Sequence, residues 1–232
     1  MPVPAPLPPE LIRLAEARRK RASRVLVVVA ILFVLVPFLF WRGTWFGRPL
    51  SEEEIGRYLS DQQKPRHIQH ALVQIGQRIE RRDAAAEHWY PQIMPLAKSP
   101  YKEIRVTLAW VMGADNHSEE FHRALLGLLE DTEPLVRRNA ALSLVRFGDA
   151  TGKPEMLNML RLSRVRGSAD SSPGPEQVWE ALRALYLVGE AGDIPDVEPY
   201  ATGTVPGMTA KTQQQAALTA AEIRRRSGKK SQ

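Results

Sequence analysis

The chain contains no cysteine. Disulfides, thiolate nucleophiles, thiolate zinc sites, Fe–S clusters and CxxCH haem attachment are excluded together. The redox compartment stays open, because a cysteine-free chain suits any of them. Strand signal is scarce too. Beyond residue 51 the apolar residues recur at helical spacing, and the breaks fall at Pro, Gly and Asp. No GxSxG, Walker or GxGxxG pattern occurs, so the hydrolase, nucleotide and dinucleotide readings lack their motifs. Most of the chain also lacks an excess of either charge. The formal net charge of +6 belongs to residues 1–48, which hold eight basic and two acidic side chains; the rest holds twenty-four of each. A neutral remainder lacks the electrostatic drive of non-specific nucleic-acid binding, so no nucleic-acid partner is expected.

What is present begins with an anchor. Val25 to Trp41 reads VLVVVAILFVLVPFLFW, with no charge and no polar group before the terminal indole. At about 1.5 Å per residue such a helix covers roughly 25 Å, near the lower limit for a hydrocarbon core. The spacing predicts a transmembrane helix over 25–41. Soluble helices rarely stay apolar on every face for this length. Trp41, Trp45 and Phe46 suit an interfacial aromatic belt. A cleaved signal peptide is the competing reading. The apolar run exceeds the usual h-region and no small-x-small site follows it. Six basic residues precede the run (Arg13, Arg18, Arg19, Lys20, Arg21, Arg24), and two follow shortly after it (Arg42, Arg48). The positive-inside rule then places the N-terminus in the cytoplasm and the larger part outside, in the periplasm if there are two membranes. Membrane lipid is the partner this segment implies. Residues 1–24 read as a Pro-rich and basic leader, since five of the first nine residues are proline. Residues 42–50 read as a linker.

From Ser51 a repeat is visible. The clearest unit is FHRALLGLLEDTEPLVRRNAALSLVRFGD, Phe121 to Asp149. At an offset of 32, Trp89 falls under Phe121, Ile93 under Leu125, Ser99 under Asp131, Arg105 under Arg137 and Ala109 under Ala141. Offsets of 69, 41 and 76 bring Ala71, Ala181 and Ala216 to the place of Ala140. Five helix pairs are therefore expected over 51–226. Small residues sit where helices approach closely, and Gly148 and Gly189 suit helix C-termini that need positive φ. In the fourth unit, helices are predicted near 153–163 and 175–189, split by a Ser/Gly/Pro-rich insertion at 164–177. The fifth unit has a first helix rich in breakers and reads as a cap. Residues 227–232 form a basic tail.

The run Asp131 to Asp149 carries Asp131, Pro134, Val136, Arg137, Ala140, Ala141, Leu144, Gly148 and Asp149. In this pattern it resembles HEAT repeats of the short bacterial kind, also seen in phycobilisome-lyase-type repeats. The resemblance is sharp in the third unit, fair in the second and thin in the others. It implies an all-α solenoid of about five helix pairs whose faces bind proteins.

Chemistry is sparse. His67 and His70 form HxxH without a third ligand, short of the three or four that zinc requires. His117 and His122 in HSEEFH lack HExxH spacing and read as a solvated helix start, with Phe121 in the core. Glu52, Glu53 and Glu54 suit the positive end of a helix. No catalytic, cofactor-binding or metal-binding residue is assigned. The remaining candidates are contact residues: Trp110 and Trp179, which match no neighbouring core aromatic, with Arg105 and Arg183 near them in sequence. Trp and Arg are the types favoured at interfaces. The expected function is a membrane-anchored, non-catalytic scaffold or accessory subunit for a protein, such as a membrane complex on the same side. The alternatives are an enzyme resembling the bilin lyases and a DNA-recognising protein like the HEAT-fold glycosylases.

Overall fold

A computed structural model describes residues 26–27, 29–38, 49–165 and 172–230. The chain divides into two compact units, Met1–Pro49 and Leu50–Gln232. In the first unit residues 26–27 and 29–38 are helical, and their large apolar side chains are exposed, from 43% at Leu35 to 80% at Phe33. Among the described residues no helix is long and apolar enough to cross a membrane. The expected 25–41 crossing is thus not found as such. The described stretch 26–38 would reach only about 20 Å, and residues 25, 28 and 39–41 lie outside the described residues. So do the leader at 1–24, residues 42–48 of the linker, the centre of the insertion at 166–171, and the final two residues.

The second unit is all-α among the described residues. Its helices are α1 (Glu52–Ser60), α2 (Pro65–Glu80), α3 (Tyr90–Ile93), α4 (Lys102–Met112), α5 (Glu119–Leu128), α6 (Pro134–Arg146), α7 (Lys153–Ser163), α8 (Pro175–Val188), α9 (Ile194–Ala201) and α10 (Ala210–Lys230). Short 3-10 turns at Ala84–Trp89 and Met94–Lys98 flank α3, and a third, Ala191–Asp193, precedes α9. The elements pair as the repeat predicts: α1 with α2, the broken segment 84–98 with α4, α5 with α6, α7 with α8, and α9 with α10. Second helices then stack in sequence, α2 on α4, α4 on α6, α6 on α8 and α8 on α10. Each pair leaves an apolar side that only its neighbours can cover.

Local chemistry sets the boundaries. Ser51 and Glu54 form a capping box on α1, and Glu52, Glu53 and Glu54 lie in its first turn, where the helix dipole favours them. Ser118 caps α5. Proline opens α2, α6 and α8, where its missing N–H has no intrahelical role. The second unit's first helix differs from expectation. It is split into three short pieces because Pro91 and Pro95 each remove a ladder donor. The breaker-rich segment of the fifth unit does form a helix, α9, with Pro199 inside it. Burial of Val197 and Tyr200 compensates, and the Tyr200 hydroxyl donates to the Leu160 carbonyl.

Residues aligned by the repeat share one environment. Ala71, Ala140, Ala181 and Ala216 are all fully buried, as are Ile75, Leu144 and Leu185. Trp89 and Phe121 occupy the same core position. The core falls into two clusters that meet at α6: Val136, Ala140 and Leu144 close the first, while Ala141 and Val145 open the second. Gly148 has φ +76°, as its helix-ending role requires. Gly189 does not; its φ is −67°. What it needs is space, since a Cβ there would stand 2.7 Å from Cδ1 of Ile223.

Candidate protein-binding groove

The candidate contact residues lie on two of the second helices, Arg105 and Trp110 on α4 and Trp179 and Arg183 on α8. Trp110 is half-buried on α4 and lies over Gly76 of α2, where an added Cβ would come within 2.9 Å of its ring. Its exposed side borders a groove of about 350 Å³ between α4, α6 and α8. The other walls come from Asn139, Leu142 and Arg146 on α6, and from Glu180, Arg183 and Leu187 on α8. Leu187 is 59% exposed.

Two of the four candidates, Trp110 and Arg183, therefore meet in one groove. Trp179 stands beside it. Its ring is faced by the Arg183 guanidinium at 4.8 Å and by the Lys211 ammonium, from α10, at 3.6 Å. Cation–π attraction of this kind fixes the Arg183 side chain along α8. Arg105 is elsewhere. It makes a bidentate pair with Asp131 (2.7 and 2.9 Å) and donates to the Ser99 carbonyl at 2.7 Å. That bond to Arg105 comes first among the causes holding the Asp131 carboxyl below its ordinary range. Arg137, its repeat equivalent, donates in the same way to the Asp131 carbonyl at 2.7 Å and lies 3.5 Å from Glu155. These arginines join one repeat to the next.

Sequence reasoning missed Leu142, Arg146, Glu180 and Leu187. A signal was available. Asn139 and Glu180, Leu142 and Arg183, and Arg146 and Leu187 are each 41 residues apart, the offset that aligned the fourth second helix with the third. The groove is one helical face used twice.

The seam beneath it differs from its neighbours. Between α4 and α6 the buried Ser143 hydroxyl donates to the Ala109 carbonyl at 2.8 Å, and between α8 and α10 the buried Thr219 hydroxyl donates to the Leu182 carbonyl at 2.8 Å. Ser143 and Thr219 are repeat equivalents, 76 residues apart. The equivalent position on α8 is Ala184, which has no hydroxyl to give to α6.

A larger cavity of about 740 Å³ lies among the turns after α2, α4 and α6, lined by Glu80, Arg82, Asp83, Asp115, His117 and Arg146 among others. At its wall the Tyr90 hydroxyl donates to Asp115 at 2.9 Å, and burial, then that bond, raises the phenol above its ordinary range. The histidines serve local pairs. His67 Nδ1 lies 2.8 Å from Asp61 while its ring stacks on Tyr58, and His122 Nε2 lies 2.7 Å from Asp149. Among the described residues no three acidic or histidine side chains converge as metal ligands.

This arrangement has a counterpart among known families. Residues 90–172 match the family model for HEAT repeats. The HEAT match runs from α3 through α7, taking in the second and third pairs, where the repeat is most regular. The outer pairs lie beyond it. HEAT repeats fit a protein-interaction scaffold, and the groove's α4 and α6 walls fall within the matched segment. No curated protein matches the chain.

Proposed function

We propose that the protein is a non-catalytic scaffold, held at a membrane by its N-terminal apolar helix, that binds another protein along its second helices. The observation that carries this reading is the groove. Trp110, Leu142, Leu187 and Arg183 converge there, combining the residue types that dominate binding energy with an apolar floor. Anchoring is supported by the apolar sequence from Val25 to Trp41 and by the outward-facing apolar side chains of its described part. The excess of basic residues before that run supports a cytoplasmic N-terminus and an extracytoplasmic repeat domain.

The test is photo-cross-linking in native membranes, with the reactive amino acid placed at Leu187 in the groove or at Arg123 on α5. A discrete protein adduct from Leu187 that is absent from Arg123 is the expected result. Equal labelling from both positions, or turnover of a substrate by the purified chain, overturns the reading.

A further inference from the structure

The groove has a charge character as well as a shape. Its apolar surface comes from Trp110, Leu142 and Leu187, with cationic heads from Arg146 and Arg183 and one carboxylate, Glu180. Glu180 is a weak counterion, 3.8 Å from Arg183 on the same helix, with both side chains about half exposed. Arg146 donates to the Gly113 carbonyl at 3.3 Å, and among the described residues it forms no ion pair. Other arginines of the second helices face carboxylates: Arg105 meets Asp131, and Arg138 lies 3.8 Å from Glu155. Those charges are committed to holding the repeats together. In the groove no carboxylate from another repeat faces either arginine: Arg146 meets the Gly113 carbonyl, and Arg183 meets the half-exposed Glu180 of its own helix and the Trp179 ring.

We infer that this groove takes an acidic segment of a partner protein, with a bulky apolar side chain seated between Trp110, Leu142 and Leu187 and a carboxylate meeting Arg146 and Arg183. The inference rests on the reading of the groove as a protein-binding surface. Charge complementarity selects the occupant: a basic segment would bring like charge against two arginines, and a neutral one would leave them unmatched. Guanidinium groups take carboxylates in bidentate geometry, which adds direction to the attraction. Among the described residues the α6–α8 seam lacks the hydroxyl-to-carbonyl bond of the two adjoining seams.

The experiment is selection of a random heptapeptide display library on the full chain in detergent micelles. The expected winners carry Asp or Glu within two residues of Leu, Ile, Phe or Met. Their affinity falls at least about ten-fold in the double variant Arg146→Glu, Arg183→Glu. It falls also in Leu187→Asp, a substitution at an exposed position that keeps both arginines and guards against misfolding in the double variant. Winners that are basic or uncharged, yet still lost in Leu187→Asp, overturn the acidic assignment and leave the groove reading standing. No enrichment, or winners indifferent to all three substitutions, overturns both. Concentration-dependent pairing of the chain with itself that Leu187→Asp abolishes also overturns the inference, since the occupant is then a second copy.

Discussion

Arg105 carries the interface-favoured chemistry that made it a contact candidate, yet its guanidinium is spent on Asp131 and the Ser99 carbonyl. Arg105→Ala is therefore expected to lower stability by about 2 kcal/mol, since charge-assisted bonds are lost and Asp131 is left without its main partner. Urea unfolding checks this, and peptide binding at the groove should be unchanged. The pair also sets an acid limb. Asp131 has its pKa depressed in the folded state, so its contribution is fully present above the ordinary carboxylate value of 3.8 and is lost as pH falls through the depressed value. In Asp131→Asn the stability lost as pH falls below about 4 should be smaller than in the parent chain. An unchanged acid limb would assign it to other carboxylates. Trp179 shows the opposite outcome, as an aromatic whose cationic neighbours, Arg183 and Lys211, belong to the surface.

α6 bears on both halves of the core, and two substitutions on it separate packing from hydrogen bonding. Leu144 is fully buried. Leu144→Ala should cost about 2–5 kcal/mol, because the removed atoms leave a cavity that neighbouring helices only partly fill. Ser143→Ala should cost about 1 kcal/mol, the usual net worth of one such bond. The small size of that loss matters less than its location. The α4–α6 stack would then lack its hydroxyl link, as the α6–α8 stack already does. Amide hydrogen exchange in the parent chain should be faster along the α6–α8 seam than along α4–α6 or α8–α10. Equal protection at all three would remove the seam as a special feature. The proline-interrupted first helices, 84–98 and α9, show that helices on that layer tolerate broken ladders where core side chains are retained. Trp89 and Ile93 stay buried in the one, Val197 and Tyr200 in the other.

For the molecule as a whole, the proposed direction of insertion rests on six basic residues ahead of the apolar run and two shortly after it. A reporter active only outside the cytoplasm should work when fused after Gln232 and fail when fused before Pro2. Changing Arg18, Arg19, Lys20 and Arg21 together to Gln should weaken that bias. The reverse pattern of activity would sink the orientation. The second unit begins at Leu50, whose N–H is held by Gln74 at 2.7 Å and whose carbonyl accepts from Arg78 at 3.1 Å. Expressed from Leu50 onward, it should give a strongly helical circular-dichroism spectrum. A β-rich or disordered spectrum would contradict the solenoid.

The sequence by itself determined the helix pairs and their number, the boundaries of α7 and α8 to within a residue, and the sharing of one core position by Trp89 and Phe121. These follow from local periodicity and from identical packing demands recurring at fixed offsets, and both are written in one dimension. Local rules also placed Gly148 correctly, because a helix end needing positive φ is a backbone matter. Only the tertiary structure decided that Gly189 is there for room against Ile223, that Arg105 joins repeats, and that Arg183 shares a groove with Trp110. Each of these depends on which neighbour lies across a helix contact. The spacing of side chains along one helix does not state how far the next helix stands away. At the groove α8 meets α6 with Ala184 where the adjoining seams have Ser143 and Thr219, a difference that acquires meaning only once the helices are stacked.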